Sequence, residues 1–105
     1  MSFSLDEVAF DGSGLVPVIV QDVKTKTVLM LGYANKQTLQ ETIELGQLVF
    51  FSRSRNSRWH KGETSGNFLQ LEEISFDCDR DSVLALVTPL GPTCHQGSDS
   101  CFGDH

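Results

Sequence analysis

Short apolar runs rich in β-branched residues alternate with polar stretches along the first third of the chain. Residues 15–20 and 27–31 are two such runs, and the charged residues between them predict a strand pair. Pro17 has no backbone N–H, so the first strand is expected either to lie at a sheet edge or to begin late.

A helix of about ten residues is predicted between Asn35 and Gly46. Asn35 is a favoured N-cap residue, and Ala34 and Leu39 occupy the positions of a hydrophobic staple. Leu39 and Ile43 lie four residues apart and are expected on one face of the helix. Gly46 is the expected C-cap.

Three further segments, residues 48–52, 68–76 and 83–87, have the composition of strands. A polar, glycine-bearing connection at 53–67 separates the first two of them, and the tail from residue 91 onward is expected to be an ordered loop. A chain of 105 residues corresponds to one domain. The pattern therefore predicts a single α+β domain with a mostly antiparallel sheet and one main helix.

The charge of the chain narrows its partners. A formal net charge of −6 disfavours binding to nucleic acid or to an anionic membrane. Four cations, Arg53, Arg55, Arg58 and Lys61, nevertheless fall within nine positions, which favours an anionic small molecule. The start of the chain resembles no secretory signal and no apolar run could span a bilayer, so a cytoplasmic location with reduced cysteines is expected.

Three carboxylates and a thiol, at Asp77, Cys78, Asp79 and Asp81, lie between two predicted strands. In an extended chain the carboxylates project to one side and Cys78 to the other. Carboxylate oxygens suit Mg²⁺, but Asp77 and Asp81 would be about 13 Å apart on a straight strand, so one ion requires a bend or bridging waters. A calcium loop of the EF-hand type is excluded because its glycine and final glutamate are missing. The alternative to a metal site is an acidic strand end that is simply surrounded by water.

The C-terminal loop carries Cys94, His95 and Cys101, and Cys78 precedes them. Thiolates and imidazole bind Zn²⁺, and three protein ligands would leave one position for water, as in catalytic sites. No C-x-x-C pair is present, so neither a zinc finger nor a nucleoside deaminase fits. Three buried, inert thiols are the alternative.

The polar connection at 53–67 has the residue types of an anion site. Arginine binds phosphate through two N–H groups, hydroxyls add donors, and glycines let backbone N–H groups approach. Trp59 is expected either to stack on a base or to pack on the sheet, and a solvated hairpin tip is the alternative for the whole connection. The candidate substrate-binding residues are Ser52, Arg53, Arg55, Trp59, Lys61, Glu63 and Ser65.

Three segments taken together, FSRSRNSRWHKGETSG, DCDRD and GPTCHQGSDSCF, resemble the phosphoribosyl-AMP cyclohydrolase family of histidine biosynthesis. The resemblance extends from about residue 10 to the end of the chain. Arg58 departs from it, because the family usually has an apolar residue before the tryptophan.

The resemblance implies an intertwined homodimer with metal sites at the subunit interface. It implies Mg²⁺ held by Asp77, Asp79 and Asp81. It also implies Zn²⁺ held by Cys78, Cys94 and Cys101, with Cys78 supplied by a different subunit from the other two.

The reaction that the resemblance implies is hydrolysis of the N1–C6 bond of the purine ring in phosphoribosyl-AMP, by zinc-activated water, to a formimino-carboxamide ribotide. Arg53, Arg55 and Lys61 would then hold phosphates with Mg²⁺, and His95 is the candidate for proton transfer. A non-catalytic zinc-binding dimerisation module is the alternative function.

Overall fold

A computed structural model describes residues 3–94 and 96–103 of the chain. A 3₁₀ turn at Leu5–Glu7 precedes the main elements. These are β1 (Val16–Asp22), β2 (Val28–Ala34), α1 (Lys36–Leu45), β3 (Val49–Ser52), β4 (Ser57–His60), β5 (Leu69–Phe76) and β6 (Val83–Pro89). Within the described ranges, no helix combines the length and the apolar character needed to cross a membrane.

The larger sheet has four strands in the order β2-β1-β6-β5. The pairs β1–β2 and β5–β6 are antiparallel, and the central pair β1–β6 is parallel. Every second residue of β1 from Val16 to Val20 is buried, and so is every second residue of β6 from Val83 to Val87. This period of two lays one apolar face of the sheet on the core. The predicted α+β class with a mostly antiparallel sheet is confirmed.

Pro17 does not lie in an edge strand, because β1 has a neighbour on each side. The prediction of an edge position is therefore wrong. Pairing of β1 with β6 begins only at Val18, opposite Val83, so Pro17 stands just before that ladder. The alternative, a strand that begins late, is also wrong, because β1 begins at Val16, one residue before Pro17. The proline is tolerated inside the strand because its N atom interrupts no hydrogen bond to β6.

The predicted caps of α1 are confirmed. The Asn35 side chain accepts a hydrogen bond from the Thr38 N–H at 2.8 Å, and the Thr38 hydroxyl accepts from the Asn35 N–H at 3.0 Å. Gly46 ends the helix at φ 72°, a left-handed conformation that glycine adopts without strain. Leu39 is buried as expected, but Ile43 is exposed, so these two residues do not share a buried face.

A second sheet, the antiparallel pair β3–β4, lies against β2 and α1. Gly32 in β2 permits this approach, because a Cβ atom there would lie 2.6 Å from Cδ1 of the buried Phe50. The strand β4 was not expected, because the sequence of residues 53–67 is mainly polar. Three of the four residues of β4 are exposed. Its backbone pairing with β3, rather than apolar alternation, makes it a strand.

The C-terminal loop is docked against the outer side of β2, as expected of an ordered loop. The Cys101 N–H donates to the Leu29 carbonyl oxygen at 2.7 Å. The Ser100 hydroxyl donates to the Val28 carbonyl oxygen at 2.7 Å. These bonds cover part of the sheet edge and fix Cys101 beside the core.

Candidate functional site

The acidic stretch forms the turn between β5 and β6 and is not extended. The Asp77 N–H donates to the Ser82 carbonyl oxygen at 3.0 Å, and the Arg80 N–H donates to the Asp77 carbonyl oxygen at 3.0 Å. Arg80 has φ 63°, which reverses the chain. The strand interpretation of these residues is therefore wrong, and the bend that one ion would require is present.

The turn gathers the three carboxylates. One oxygen from each of Asp77, Asp79 and Asp81 lies within 4.8 Å of the other two. The negative charge of Asp77, aided by that of Asp79, raises the pKa of the exposed Asp81 carboxyl. Octahedral Mg²⁺ places oxygens about 2.1 Å from the ion, so opposite ligands are about 4 Å apart, and this spread suits a single hard cation. The three carboxylates could therefore hold one metal ion.

Cys78 is exposed on the same turn. Its Sγ lies 3.9 Å from Oδ1 of Asp79, so the expectation that it points away from the carboxylates is wrong. The expectation assumed the alternation of a strand, which a turn does not have.

Cys94 and Cys101 come together, and their thiols are joined by a hydrogen bond. The backbone N–H of Gln96 donates to Cys94 and lowers the pKa of its thiol, aided by the side chains of Ser98 and Cys101 and by the charge of Lys61. Burial raises the pKa of Cys101, and the neighbouring Cys94 raises it further. The thiol of Cys94 therefore ionises more readily than the thiol of Cys101.

The third predicted zinc ligand is not part of this pair. Within residues 3–94 and 96–103, the group of three candidate ligands whose atoms all lie within 4.8 Å of one another is the carboxylate group. The three cysteines do not form such a group, so within one chain the sulfur of Cys78 is too far from those of Cys94 and Cys101 to share an ion with them. His95, the candidate for proton transfer, lies outside the described residues.

The first half of the basic connection forms the β3–β4 hairpin. Ser52 ends β3, and its Oγ accepts a hydrogen bond from the Arg55 N–H at 3.3 Å. Beside this hairpin is a cavity of about 480 Å³, here called the arginine cavity. Its lining residues are Ser52, Ser54, Arg55, Ser57, Arg58 and Trp59.

A second cavity, here called the lysine cavity, has a volume of about 320 Å³ and lies between β4, the loop that follows it and the C-terminal loop. Lys61 is buried at 7% exposure, and its Nζ lies 5.9 Å from the centroid of the Trp59 ring. The residues that line this cavity include Trp59, Lys61, Thr64, Ser65, Asn67 and Cys94. The structure thus brings the thiol of Cys94 into one space with the predicted substrate-binding residues Trp59, Lys61 and Ser65.

Two predicted substrate-binding residues lie elsewhere. The Arg53 guanidinium stacks 3.9 Å from the centroid of the Tyr33 ring and lines neither cavity. Glu63 is exposed and stands 4.0 Å from an Nη atom of Arg58. Arg58 itself donates through Nε to both carboxylate oxygens of Glu41 at 2.9 Å, so its charge is already partnered.

Asn67 is a lining residue that sequence reasoning missed. Its side chain lies directly against Gly91, in the space that a Cβ atom would fill. Gly62, at φ 95°, turns the loop beneath it, and a Cβ there would lie 2.5 Å from the Phe68 backbone nitrogen. A single sequence carries no signal for a contact between residues 67 and 91, because neither periodicity nor turn chemistry links them.

Comparison with known proteins assigns this chain to a family. The family model described as phosphoribosyl-AMP cyclohydrolase matches residues 30–103. The "Phosphoribosyl-AMP cyclohydrolase" of Pelotomaculum thermopropionicum is 49% identical over 102 residues, which cover 97% of this chain and 79% of that protein.

Longer relatives carry a second name. The "Histidine biosynthesis bifunctional protein HisIE" of Shigella sonnei is 57% identical over 91 residues, covering 87% of this chain and 45% of that protein. The protein of the same name from Bacillus subtilis is 53% identical over 97 residues, covering 92% and 46%. The chain therefore spans a little under half the length of these bifunctional relatives.

Proposed function

The chain belongs to the phosphoribosyl-AMP cyclohydrolase family, and from this premise we propose that it hydrolyses phosphoribosyl-AMP in histidine biosynthesis. Water adds to C6 of the purine ring, the N1–C6 bond breaks, and N1 takes up a proton, which gives the formimino-carboxamide ribotide. One observation carries the proposal: a tryptophan face, a buried lysine and an activated thiol line one cavity, at Trp59, Lys61 and Cys94.

The substrate makes particular demands on this cavity. A phosphoribosyl group on N1 makes the ring cationic and its C6 electrophilic. An exposed indole face attracts a flat cation, and Trp59 is 44% exposed while its other contacts include Phe50, at 5.5 Å between ring centroids. Trp59 would orient the ring, and Lys61 would bind a phosphate group. His95, which follows Cys94 in sequence, remains the candidate for moving a proton to N1.

Zinc belongs to the same proposal. Cys94 and Cys101 would hold it with Cys78 of the partner subunit, because the two thiols of one chain lie together and Cys78 stands apart. Zinc, when bound, lowers the pKa of water towards neutrality and so makes a nucleophile available. The N–H of Gln96 and the charge of Lys61 favour the thiolate form that a metal ligand needs.

Magnesium would occupy the acidic turn. Asp77, Asp79 and Asp81 supply hard oxygen ligands within reach of one ion. Its positive charge would offset the mutual repulsion of the three carboxylates and help to hold substrate phosphates. The proposed assembly is a homodimer with the zinc site shared between subunits, located in the cytoplasm, where thiols stay reduced.

The test is direct addition of phosphoribosyl-AMP to the zinc-loaded protein, with ring opening followed by ultraviolet absorbance. Turnover is expected for the natural sequence, and Cys94→Ser should lower kcat/KM by about a hundredfold or more, since it removes a metal ligand. Lys24→Gln is the matched control, because Lys24 is an exposed cation outside both cavities and should leave the rate unchanged. A protein that binds zinc but leaves the nucleotide intact would instead be a zinc-binding dimerisation module.

A further inference from the structure

Trp59 lines both the arginine cavity and the lysine cavity. Each cavity combines a cationic side chain with hydroxyl groups: Arg55 and three serines in the arginine cavity, Lys61 with Thr64 and Ser65 in the lysine cavity. Cations with hydroxyl donors are the usual partners of phosphate. Each of the two cavities that Trp59 lines therefore has the residue types of an anion-binding site.

One cation in each cavity is available to a ligand. Among the residues that the structure describes, neither Arg55 nor Lys61 has a carboxylate oxygen within 4.0 Å. Arg58 differs, because Glu41 binds its Nε through both oxygens. A lysine that is 7% exposed and lacks a carboxylate partner is unusual, since burial of an ammonium group is unfavourable unless an anion accompanies it.

The proposed substrate has a matching shape. Phosphoribosyl-AMP carries two phosphate groups, one on the ribose attached to N9 and one on the ribose attached to N1, with the purine ring between them. The reacting atom, C6, is bonded to N1 and so lies on the side of the second ribose. Cys94 lines the lysine cavity and not the arginine cavity. The reacting edge of the ring therefore belongs at the lysine cavity.

Building on the proposed function, we infer that the two cavities divide the two phosphates of the substrate. The lysine cavity binds the phosphate of the ribose on N1, through Lys61 and the hydroxyls of Thr64 and Ser65. The arginine cavity binds the phosphate of the AMP half, through Arg55 and its serines. The purine ring lies across the exposed face of Trp59, which attracts the cationic ring.

The two halves of the substrate test this assignment separately, because AMP carries only the N9 half and ribose 5-phosphate carries only the other. The chain has a single tryptophan, so its fluorescence reports ligands at Trp59 without any turnover. Both probes are titrated into the metal-loaded protein, with calorimetry as the second readout. Arg55→Gln, Lys61→Gln and the exposed control Lys24→Gln are compared.

Arg55→Gln should weaken AMP binding about tenfold or more and leave ribose 5-phosphate within about twofold. Lys61→Gln should do the reverse, and AMP, which brings a base to the indole, should quench fluorescence more strongly. If burial of residue 61 prevents Lys61→Gln from folding, Thr64→Ala replaces it and should weaken ribose 5-phosphate about threefold without affecting AMP.

Equal losses of both probes in both variants, or the opposite pairing, would overturn the assignment. Because binding is measured without turnover, these outcomes differ from a failure of the proposed function. If the proposed function fails, the natural protein would bind both probes yet leave phosphoribosyl-AMP unchanged.

Discussion

Thr42 illustrates what a single polar side chain does in this fold. It is buried at 1% exposure. Its hydroxyl lies 2.9 Å from the Thr38 carbonyl oxygen and 3.1 Å from the Val49 carbonyl oxygen, and it accepts from the Val49 N–H at 2.9 Å. One hydroxyl thus joins α1 to the start of β3, the strand that leads into the arginine cavity.

Thr42→Val should lower the free energy of unfolding by about 2 kcal/mol, because it leaves a buried backbone N–H without its acceptor. Thr42→Ser keeps the hydroxyl and removes one methyl group, so its loss should be about 1 kcal/mol. Urea denaturation of the three proteins measures both values. A valine variant as stable as the serine variant would show that the hydroxyl is not needed.

Asp22 is expected to contribute to the pH dependence of stability at acid pH. Its carboxylate accepts hydrogen bonds from the N–H groups of Lys24 at 2.8 Å and Thr25 at 3.2 Å, and these bonds lower its pKa. A lowered pKa stabilises the fold fully above the ordinary aspartate value of about 4, and this stabilisation disappears as the pH falls through the lower value of the folded state.

Asp22→Asn should therefore lower the melting temperature at neutral pH, and the difference from the natural protein should shrink as the pH falls below about 4. Thermal unfolding at a series of pH values measures this. Asp6→Asn, at an exposed carboxyl for which the structure gives one surface ion pair, is the control and should show a smaller change. A difference that grows on acidification would contradict the role assigned to Asp22.

Among the structural elements, the β5–β6 turn is the one that brings three candidate metal ligands together. Its backbone hydrogen bonds hold three carboxylates close together. The negative charge of Asp77 is the largest cause of the raised pKa of Asp81. Such a turn is destabilised by its own charge until a cation binds. Stability of the hairpin and occupancy by a metal ion are therefore expected to be coupled.

Millimolar Mg²⁺ should raise the melting temperature of the natural protein, because binding to the folded state adds to stability. Asp79→Asn should remove most of that increase while bound zinc, measured by elemental analysis, stays near its original level. Asp6→Asn, a neutralisation outside the turn, should respond to Mg²⁺ as the natural protein does. Equal loss of zinc and magnesium in Asp79→Asn would contradict the proposal of two distinct sites.

At the scale of the whole molecule, one chain holds two thiols together and a third apart. A zinc site with three sulfur ligands then requires a second copy of the chain. The proposed homodimer would provide this second copy, with Cys78 of the partner subunit as the third ligand beside Cys94 and Cys101.

Cys78→Ser and Cys94→Ser chains should each be inactive, yet a mixture of the two should regain activity. In a heterodimer, one of the two shared sites receives all three thiols, so about half the natural activity per heterodimer is expected. Refolding the two chains together, separating the heterodimer by differential tags and assaying it measures this. A pure heterodimer without activity would contradict a site shared between subunits.

Local patterns of residues were enough to predict most of the helices and strands. The apolar, β-branched runs at 15–20 and 83–87, the Asn35 and Gly46 caps and the length of α1 are local properties, and each follows from the chemistry of neighbouring residues. The same locality explains why the family could be identified, since its motifs are contiguous stretches.

The remaining features depend on contacts between residues that are distant in sequence. β4 exists because its backbone pairs with β3, and Pro17 lies in a central strand because of the parallel neighbour β6. The meeting of Lys61 with Cys94, and the division of one polar connection into two cavities around Trp59, join residues far apart in sequence. Such contacts depend on the free energy of the whole packed chain, which no local pattern of residues records.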